Sequence, residues 1–153
     1  MNSKDTNPKD AIGQTKLPLD LVPDTAIAYM ALAFLEGALK YGRYNWRIAG
    51  VRWSIYQSAF ERHRMKVANG EWADPKTGVP HLASMMACLA IILDAHTCGM
   101  LTDDRPPSCL GVSSLIDGMA GDVARLKEVF KDFSPHQYTI EDTPNAEVDP
   151  SKA

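Results

Sequence analysis

One carboxylate interrupts a long apolar stretch in the first third of the chain. Glu36 is the only charged residue between Asp24 and Lys40. An ionised carboxylate on an apolar helix is unfavourable unless a cation or a hydrogen-bond donor compensates it. Lys40 lies one helical turn later, in the favourable Glu-to-Lys order, so a structural ion pair is one interpretation. A carboxylate that binds a metal ion or a substrate is the other, and the spacing alone leaves both open.

A second set of possible ligands lies in the stretch GEWADPKTGVPHL. Glu71 and Asp74 are three residues apart, and His81 follows at the predicted start of a helix. Carboxylate oxygens suit a hard cation such as Mg²⁺ or Mn²⁺. The competing interpretation, which the spacing by itself favours, is a polar turn in which Asp74 binds its own backbone and His81 caps the helix. The spacing is not a zinc signature.

Basic residues cluster in the stretch FERHRMK. Arg62 and Lys66 are four residues apart and share one helical face, with His63 beside them. Guanidinium geometry suits phosphate oxygens, so this cluster predicts a phosphate clamp. A solvated basic face is an equally compatible interpretation.

The stretch KYGRYNW carries groups that suit a nucleobase. The rings of Tyr41 and Trp46 could stack on a base, and Asn45 could bind its edge. Trp46 could equally be a core residue under the connecting loop. Asp94 ends a long apolar run, where it either faces solvent or joins Glu36 from a neighbouring helix.

Helices are needed to position these groups. Residues 1–23 contain three prolines and are predicted to be an extended arm, and residues 134–153 a tail. No stretch shows a convincing strand alternation, so we predict an all-α, four-helix-bundle-like fold in a single domain over residues 1–153. The helical spacing of apolar residues predicts helices over about residues 24–41, 53 or 54 to 68, 80–97, and 113 or 114 to 133.

Composition narrows the function classes. The 153 residues carry a formal net charge of -3, which argues against general nucleic-acid binding. No apolar run reaches the roughly 20 residues that span a bilayer, and the N-terminus lacks a signal-peptide core, so we expect a cytoplasmic protein. The three cysteines form no CxxC pair, and no structural disulfide is expected.

Several of these stretches, in this order, resemble the phage dATP/dGTP diphosphohydrolase (MazZ-like) family, which is related to the MazG-type all-α nucleotide pyrophosphohydrolases. The resemblance covers roughly residues 7–98. Glu36 has Leu39 where the MazG-type ExxE signature has its second acid, and the literal ExxD is Glu71 to Asp74. The matching stretches are NPKDAIG…KLPL…LVP, LEGALKYGRYNWR, RH, GEWADPKTGVPHLA and ACLAIILDA.

The resemblance implies a metal-dependent enzyme that cuts a purine deoxynucleoside triphosphate between its α and β phosphates. Expected products are the monophosphate and pyrophosphate, with dGTP, and also dATP or GTP, as substrates that feed phage 2-aminoadenine nucleotide synthesis. Catalysis and Mg²⁺ or Mn²⁺ binding fall to Glu36, Glu71 and Asp74, with Asp94 as a further metal ligand. The residues expected to bind substrate are Lys40, Tyr41, Asn45, Trp46, Arg62, His63, Lys66 and His81.

A simple up-down bundle conflicts with one shared metal site. Glu36 and Glu71 would lie toward opposite ends, and His81 and Asp94 would be about 20 Å apart along one helix. Either the bundle is not built of simple hairpins, or two subunits complete each site, or only one cluster is catalytic. The resemblance implies a homodimer or homotetramer.

Two other functions fit the same residues. A non-catalytic helical module for nucleotide binding or assembly would use Glu36 and Lys40 as a structural pair. A metal-dependent phosphohydrolase of the HD type would use the histidines, although the sequence has no adjacent His-Asp pair.

Overall fold

The computed structural model describes residues 7–144 of the chain, which are mainly helical and divide into two compact units after Thr102. The all-α prediction is confirmed. Whether the whole chain is one domain stays a prediction. Within residues 7–144, no helix is both long enough and apolar enough to span a membrane.

The first unit contains the three long helices that the sequence predicted, and their ends agree with the prediction to within one or two residues. Its elements in chain order are α1 (Pro8–Gly13), a 3-10 turn (Leu19–Leu21), α2 (Asp24–Tyr41), α3 (Trp46–Ala49), β1 (Val51–Arg52), α4 (Trp53–Ala68), α5 (His81–Thr97) and β2 (Leu101–Thr102).

The predicted extended arm is wrong in part. Asn7 caps α1, because its side-chain oxygen accepts a hydrogen bond of 3.1 Å from the Lys9 amide, and Pro8 occupies the first helical turn, where proline is tolerated. The prolines therefore start a short helix here and do not prevent one. Residues 1–6 lie outside the described part of the chain.

Helix α5 is the central element, α4 runs antiparallel to it, and α2 runs in the same direction as α5. Near the start of α4, Tyr56 packs in the same cluster as Ala95 near the end of α5. At the other end of α4, His63 contacts His81, the first residue of α5. Ala33 of α2 packs on the first half of α5, whereas Trp46 and Arg47, shortly after α2 ends, contact Ala95 and Asp94 near the end of α5, so α2 and α5 run in the same direction.

The antiparallel orientation of α2 and α4 agrees with the up-down arrangement. The connector between them, residues 42–52, stays near the end of α5, where Trp46 and Val51 pack with Ala95. Its last residues form β1, which pairs in parallel with β2 at Val51↔Leu101 and Arg52↔Thr102, so the start of α4 is joined to the end of α5. The expectation of no strand is therefore wrong for these two short segments.

A glycine makes this strand pairing possible. Gly50 has a φ of 73°, and a Cβ at this position would lie 3.0 Å from the carbonyl oxygen of Met100. The same carbonyl accepts a hydrogen bond of 3.0 Å from the Val51 amide. A side chain would therefore be strained by the backbone conformation and crowded by the neighbouring segment.

Small side chains form the core between the helices. One cluster joins Ala33 of α2 to Val79, Ala83 and Ala87 around the first half of α5. A second cluster joins Trp46 and Val51 of the connector to Ala95 near the end of α5. Because alanine lets helix backbones approach closely, larger side chains on the same helices are left at the margins, where they line cavities.

The second unit differs from the predicted single helix over residues 113 or 114 to 133. It contains α6 (Val112–Gly118), α7 (Ala120–Val129) and a 3-10 turn (Ile140–Asp142). The break falls at Met119, between Gly118 and Gly121, where glycine weakens a helix interior. Every residue over 103–144 is exposed. Residues 145–153 of the predicted tail lie outside the described part of the chain.

Candidate functional site

A cavity of about 600 Å³ lies among α2, α4 and α5, and it collects most of the site residues predicted from the sequence. These residues come from the end of α2, the connector, the second half of α4 and the loop before α5. The predicted residues that line the cavity are Glu36, Lys40, Tyr41, Asn45, Trp46, Arg62, His63 and Asp74.

Glu36 forms the predicted ion pair with Lys40, and it also lines the cavity. Its Oε1 atom accepts a hydrogen bond from Lys40 Nζ, and this contact raises the pKa of Lys40. The side chain is 22% exposed and lines the cavity. Its second oxygen, Oε2, has no hydrogen-bond partner within residues 7–144. The ion pair therefore compensates the charge without occupying the whole carboxylate.

Asp74 is held by a local turn that also directs it to the cavity. Its Oδ1 atom accepts hydrogen bonds from the amides of Lys76 at 2.9 Å and Thr77 at 3.0 Å. These two bonds lower the pKa of the Asp74 carboxyl. The turn predicted around Asp74 is thus confirmed, whereas His81 does not cap α5, because its ring contacts Glu71 and His63. Oδ2 of Asp74 makes no hydrogen bond to any residue that the structure describes.

The loop around Asp74 forms a small hairpin. Ala73 pairs with Pro80 in an antiparallel bridge, and the His81 amide donates a hydrogen bond of 2.9 Å to the carbonyl of Trp72. The hairpin turns the chain back at the end of α4, so Asp74 reaches the cavity that contains Glu36. Both carboxylates raise the pKa of Lys40, and Glu36 has the larger effect.

Glu71, predicted as a catalytic metal ligand, has other partners and does not line the cavity. Its Oε1 atom lies 2.7 Å from His81 Nε2 and 3.2 Å from Lys66 Nζ, and these contacts lower the pKa of the Glu71 carboxyl. His81 is 0% exposed, and its Nδ1 atom lies 2.9 Å from Nδ1 of His63. Of these four side chains, His63 alone lines the cavity.

Asp94, predicted as a further metal ligand, is likewise absent from the cavity lining. Its Oδ2 atom accepts hydrogen bonds from Trp46 Nε1 at 2.6 Å and Arg47 Nε at 2.8 Å. Its Oδ1 atom accepts one from Arg47 Nη2 at 2.8 Å. The bidentate guanidinium lowers the pKa of Asp94 to about 2. The expected meeting with Glu36 does not occur, because three donors already hold this carboxylate.

Trp46 contacts Asp94 and also lines the cavity that contains Glu36 and Asp74. It is buried, its ring centroid lies 5.6 Å from that of Phe34 and 5.2 Å from that of Tyr44, and it contributes to the cavity wall. The core interpretation of this residue is therefore correct, and its place beside the cavity is compatible with substrate contact as well. Tyr41 and Arg62 are exposed.

Some lining residues were not singled out by their types. Helical spacing could have found them, because they follow one face of α5 and one face of α4 at intervals of three and four residues. They contribute a wall with few charges opposite Glu36. These residues are Ile55, Tyr56, Ala59, Ser84, Ala87, Cys88 and Ile91.

The cavity can be tested for its ability to hold a divalent cation. Within residues 7–144, no group of three or more His, Cys, Asp or Glu side chains is arranged to hold a metal ion by itself. Glu36 and Asp74, however, line the same cavity, and one carboxylate oxygen of each has no partner in the described part of the chain. This donor set fits Mg²⁺, which commonly takes one or two carboxylates and completes its shell with water and substrate phosphates.

Fold and cavity together define an all-α protein with a pocket of mixed charge beside an aromatic wall. The family model described as dATP/dGTP diphosphohydrolase, N-terminal, matches residues 6–105, and the chain belongs to this family. The match ends close to the division between the two units, and it confirms the family resemblance. No curated protein and no solved structure matches the chain significantly.

Proposed function

We propose that the chain is a metal-dependent pyrophosphohydrolase that converts a purine deoxynucleoside triphosphate to its monophosphate and pyrophosphate. One observation carries the proposal: Glu36 and Asp74, with one open oxygen each, line the same cavity as Lys40 and Arg62. Carboxylates and cations around one pocket suit a ligand that is a complex of phosphates with a divalent cation. The cavity lies wholly within the residues that match the family.

The phosphate end of the substrate is assigned to the charged side of the cavity. Glu36 and Asp74 would hold Mg²⁺ or Mn²⁺, which when bound neutralises phosphate charge and lowers the pKa of a water ligand. Lys40 and Arg62 bind phosphate oxygens, and the raised pKa of Lys40 keeps its ammonium charged. Lys66 is removed from this role because it pairs with Glu71 at 3.2 Å.

The nucleoside end is assigned to the connector side of the cavity. Tyr41 and Trp46 offer ring faces for a purine, and Asn45 offers an amide for the base edge. All three come from the segment that ends α2 and begins α3, so the groups assigned to the base follow Glu36 on one continuous stretch, while Asp74 comes from the hairpin before α5. We propose dGTP as the preferred substrate, with dATP or GTP as further candidates.

The surface supports assembly into a homodimer or homotetramer. Leu39 of α2 is 81% exposed, and Leu93 of α5 is 68% exposed. Within residues 7–144 these apolar side chains on the two neighbouring helices are exposed, and a second copy would cover them. We also propose that the protein acts in the cytoplasm and that its reaction feeds phage 2-aminoadenine nucleotide synthesis.

The Glu36–Lys40 ion pair is the one observation that favours the alternative, a non-catalytic nucleotide-binding or assembly module. The two functions differ in the products that they release. The purified chain is incubated with each deoxynucleoside triphosphate and with GTP, in Mg²⁺, in Mn²⁺ and with a chelator. We expect pyrophosphate and the monophosphate from a purine nucleotide, and their loss with the chelator. Nucleotide binding without pyrophosphate from any nucleotide would establish the alternative.

A further inference from the structure

A chain of hydrogen bonds connects the protein surface to the cavity through a buried histidine. Glu71, 43% exposed, contacts Nε2 of His81, and Nδ1 of His81 contacts Nδ1 of His63 at 2.9 Å. His81 is fully buried, so both of its ring nitrogens are satisfied by these two neighbours alone. Neither the metal-binding proposal nor the phosphate-binding proposal uses this chain.

The chemistry of the three groups determines where the protons lie. An ionised carboxylate only accepts hydrogen bonds, so Nε2 of His81 must donate to Glu71. In a neutral imidazole the other nitrogen is then an acceptor, so Nδ1 of His81 accepts from Nδ1 of His63. The remaining nitrogen of His63, Nε2, is left unprotonated on the side chain that lines the cavity.

We propose that Glu71 and His81 are positioning residues that hold His63 in this tautomer, and that His63 Nε2 is the general base for the attacking water. The reaction part of this inference rests on the proposed function, whereas the tautomer part does not. The water oxygen bonds to the α-phosphorus, and the bond from that phosphorus to the bridging oxygen breaks. Pyrophosphate leaves with the electron pair, and the water proton passes to His63 Nε2 and then to solvent.

The surroundings of His63 favour a neutral ring that is ready to accept a proton. Burial lowers the pKa of His63, and the neighbouring cationic and imidazole groups lower it further. Glu36, on α2, acts in the opposite direction and more weakly. Glu71, on the hairpin, acts on the ring through His81. The groups that lower the pKa are His81 of α5 and Lys66 and Arg62 of α4.

Lys66 helps to fix the order of donors and acceptors along these hydrogen bonds. It lies 3.2 Å from the Glu71 oxygen that contacts His81, and it lowers the pKa of that carboxyl together with His81. A carboxylate that remains ionised cannot donate a proton to His81. The order of donors and acceptors therefore cannot reverse from the Glu71 end while Glu71 is ionised.

The tautomers can be measured without any catalytic assay. Long-range ¹⁵N–¹H correlation spectra of the full chain at pH 7 are expected to show His81 protonated at Nε2 and His63 protonated at Nδ1. In Glu71→Ala, which removes an exposed side chain, His63 is expected to lose its single tautomer. Glu61→Ala is the matched control, because Glu61 lies on α4 and, among the residues that the structure describes, pairs with its helix neighbours Gln57 and Arg64. A wild-type His63 protonated at Nε2, or as an imidazolium, would overturn the assignment.

Kinetics test the base role separately. His63→Gln is expected to lower kcat by about a hundredfold or more and to remove the acid limb of the kcat–pH profile. Glu71→Ala is expected to lower kcat about tenfold with KM little changed, to shift the acid limb, and to be partly rescued in Glu71→Asp. Retention of full kcat in His63→Gln, with wild-type tautomers as assigned, would overturn the base role alone. Wild-type protein that releases no pyrophosphate would instead overturn the proposed function, while the spectra would still decide the tautomer.

Discussion

The two ends of the α2–α4–α5 bundle use carboxylates in opposite ways. At the end near the finish of α5, both oxygens of Asp94 are filled by donors from Trp46 and Arg47. At the end near the start of α5, Glu36 and Asp74 each leave one oxygen without a partner within residues 7–144. The sequence predicted all three acids as metal ligands. In the structure they differ in how many of their carboxylate oxygens are hydrogen-bonded.

This difference shows that the number of open oxygens is more informative than the presence of an acid. A carboxylate whose oxygens are all satisfied stabilises the fold and has little capacity left for a ligand. A carboxylate that is half-satisfied is oriented by its protein contacts and can still bind a cation. Asp74 is the clearer example, because two backbone amides hold Oδ1 while Oδ2 stays open.

The largest expected effect in this comparison is the loss of turnover in Glu36→Gln. The substitution keeps the shape of the side chain and removes the charge assigned to the cation, so we expect kcat to fall at least about a hundredfold. The midpoint of thermal unfolding should change little, because a helical Glu–Lys pair contributes only about 0.5 kcal/mol. Pyrophosphate release and circular dichroism measure the two effects.

The control for this variant is Glu128→Gln. Glu128, near the end of α7, also forms an ion pair with a nearby lysine, Lys131, at 2.7 Å, but it lies in the second unit. Its loss should leave both turnover and unfolding unchanged. Full turnover in Glu36→Gln would remove the distinction between the two ends of the bundle.

The sequence was sufficient for the helices and their up-down order but not for the contacts between distant segments. Apolar spacing, Asp24 and Gly42 marked α2, and its bounds in the structure agree. The parallel pairing of Val51 with Leu101 joins residues 50 positions apart, and no local pattern reports it. The sequence-based prediction therefore contained no strand at either segment.

Residue types alone also could not predict which hydrogen-bond partners each acid would have. Glu71 and Asp74 are equally good ligands by type, but only the fold shows that Glu71 contacts a histidine that is 0% exposed. Asp94 was left open between solvent and Glu36, and neither option included Trp46, which lies 48 positions earlier. Long-range hydrogen bonds decide which acid keeps a free oxygen, and these are properties of the folded chain.

The next largest effect is expected at the opposite end, in Asp94→Asn. The amide cannot accept the bidentate guanidinium of Arg47 and the indole N–H of Trp46 as the carboxylate does, so the unfolding temperature should fall. Since Trp46 keeps its packing against Phe34, kcat should stay within about threefold of wild type. Unfolding curves and pyrophosphate assays on the same preparations make the measurement. A variant with unchanged stability and a hundredfold loss of kcat would assign Asp94 to catalysis.

The smallest expected effect is a difference between the two ends of the bundle in the pH at which each contributes to folding stability. The folded-state pKa of His63 lies below its ordinary value of 6.5, so its contribution to stability is complete above about 6.5 and is lost as the pH falls through the folded value. The folded-state pKa of Asp94 is about 2 against an ordinary 3.8, so its contribution is complete above about 3.8 and is lost as the pH falls through about 2.

Unfolding midpoints measured from pH 8 to pH 3 should therefore show two windows. His63→Gln is expected to flatten the slope just below pH 6.5 and to leave the slope below pH 4 unchanged. Asp94→Asn is expected to do the reverse, because its partners Arg47 and Trp46 do not titrate in this range. If Asp94→Asn instead changed the slope near pH 6, the two clusters would be coupled through the bundle, and the separation between a structural end and a reactive end would not hold.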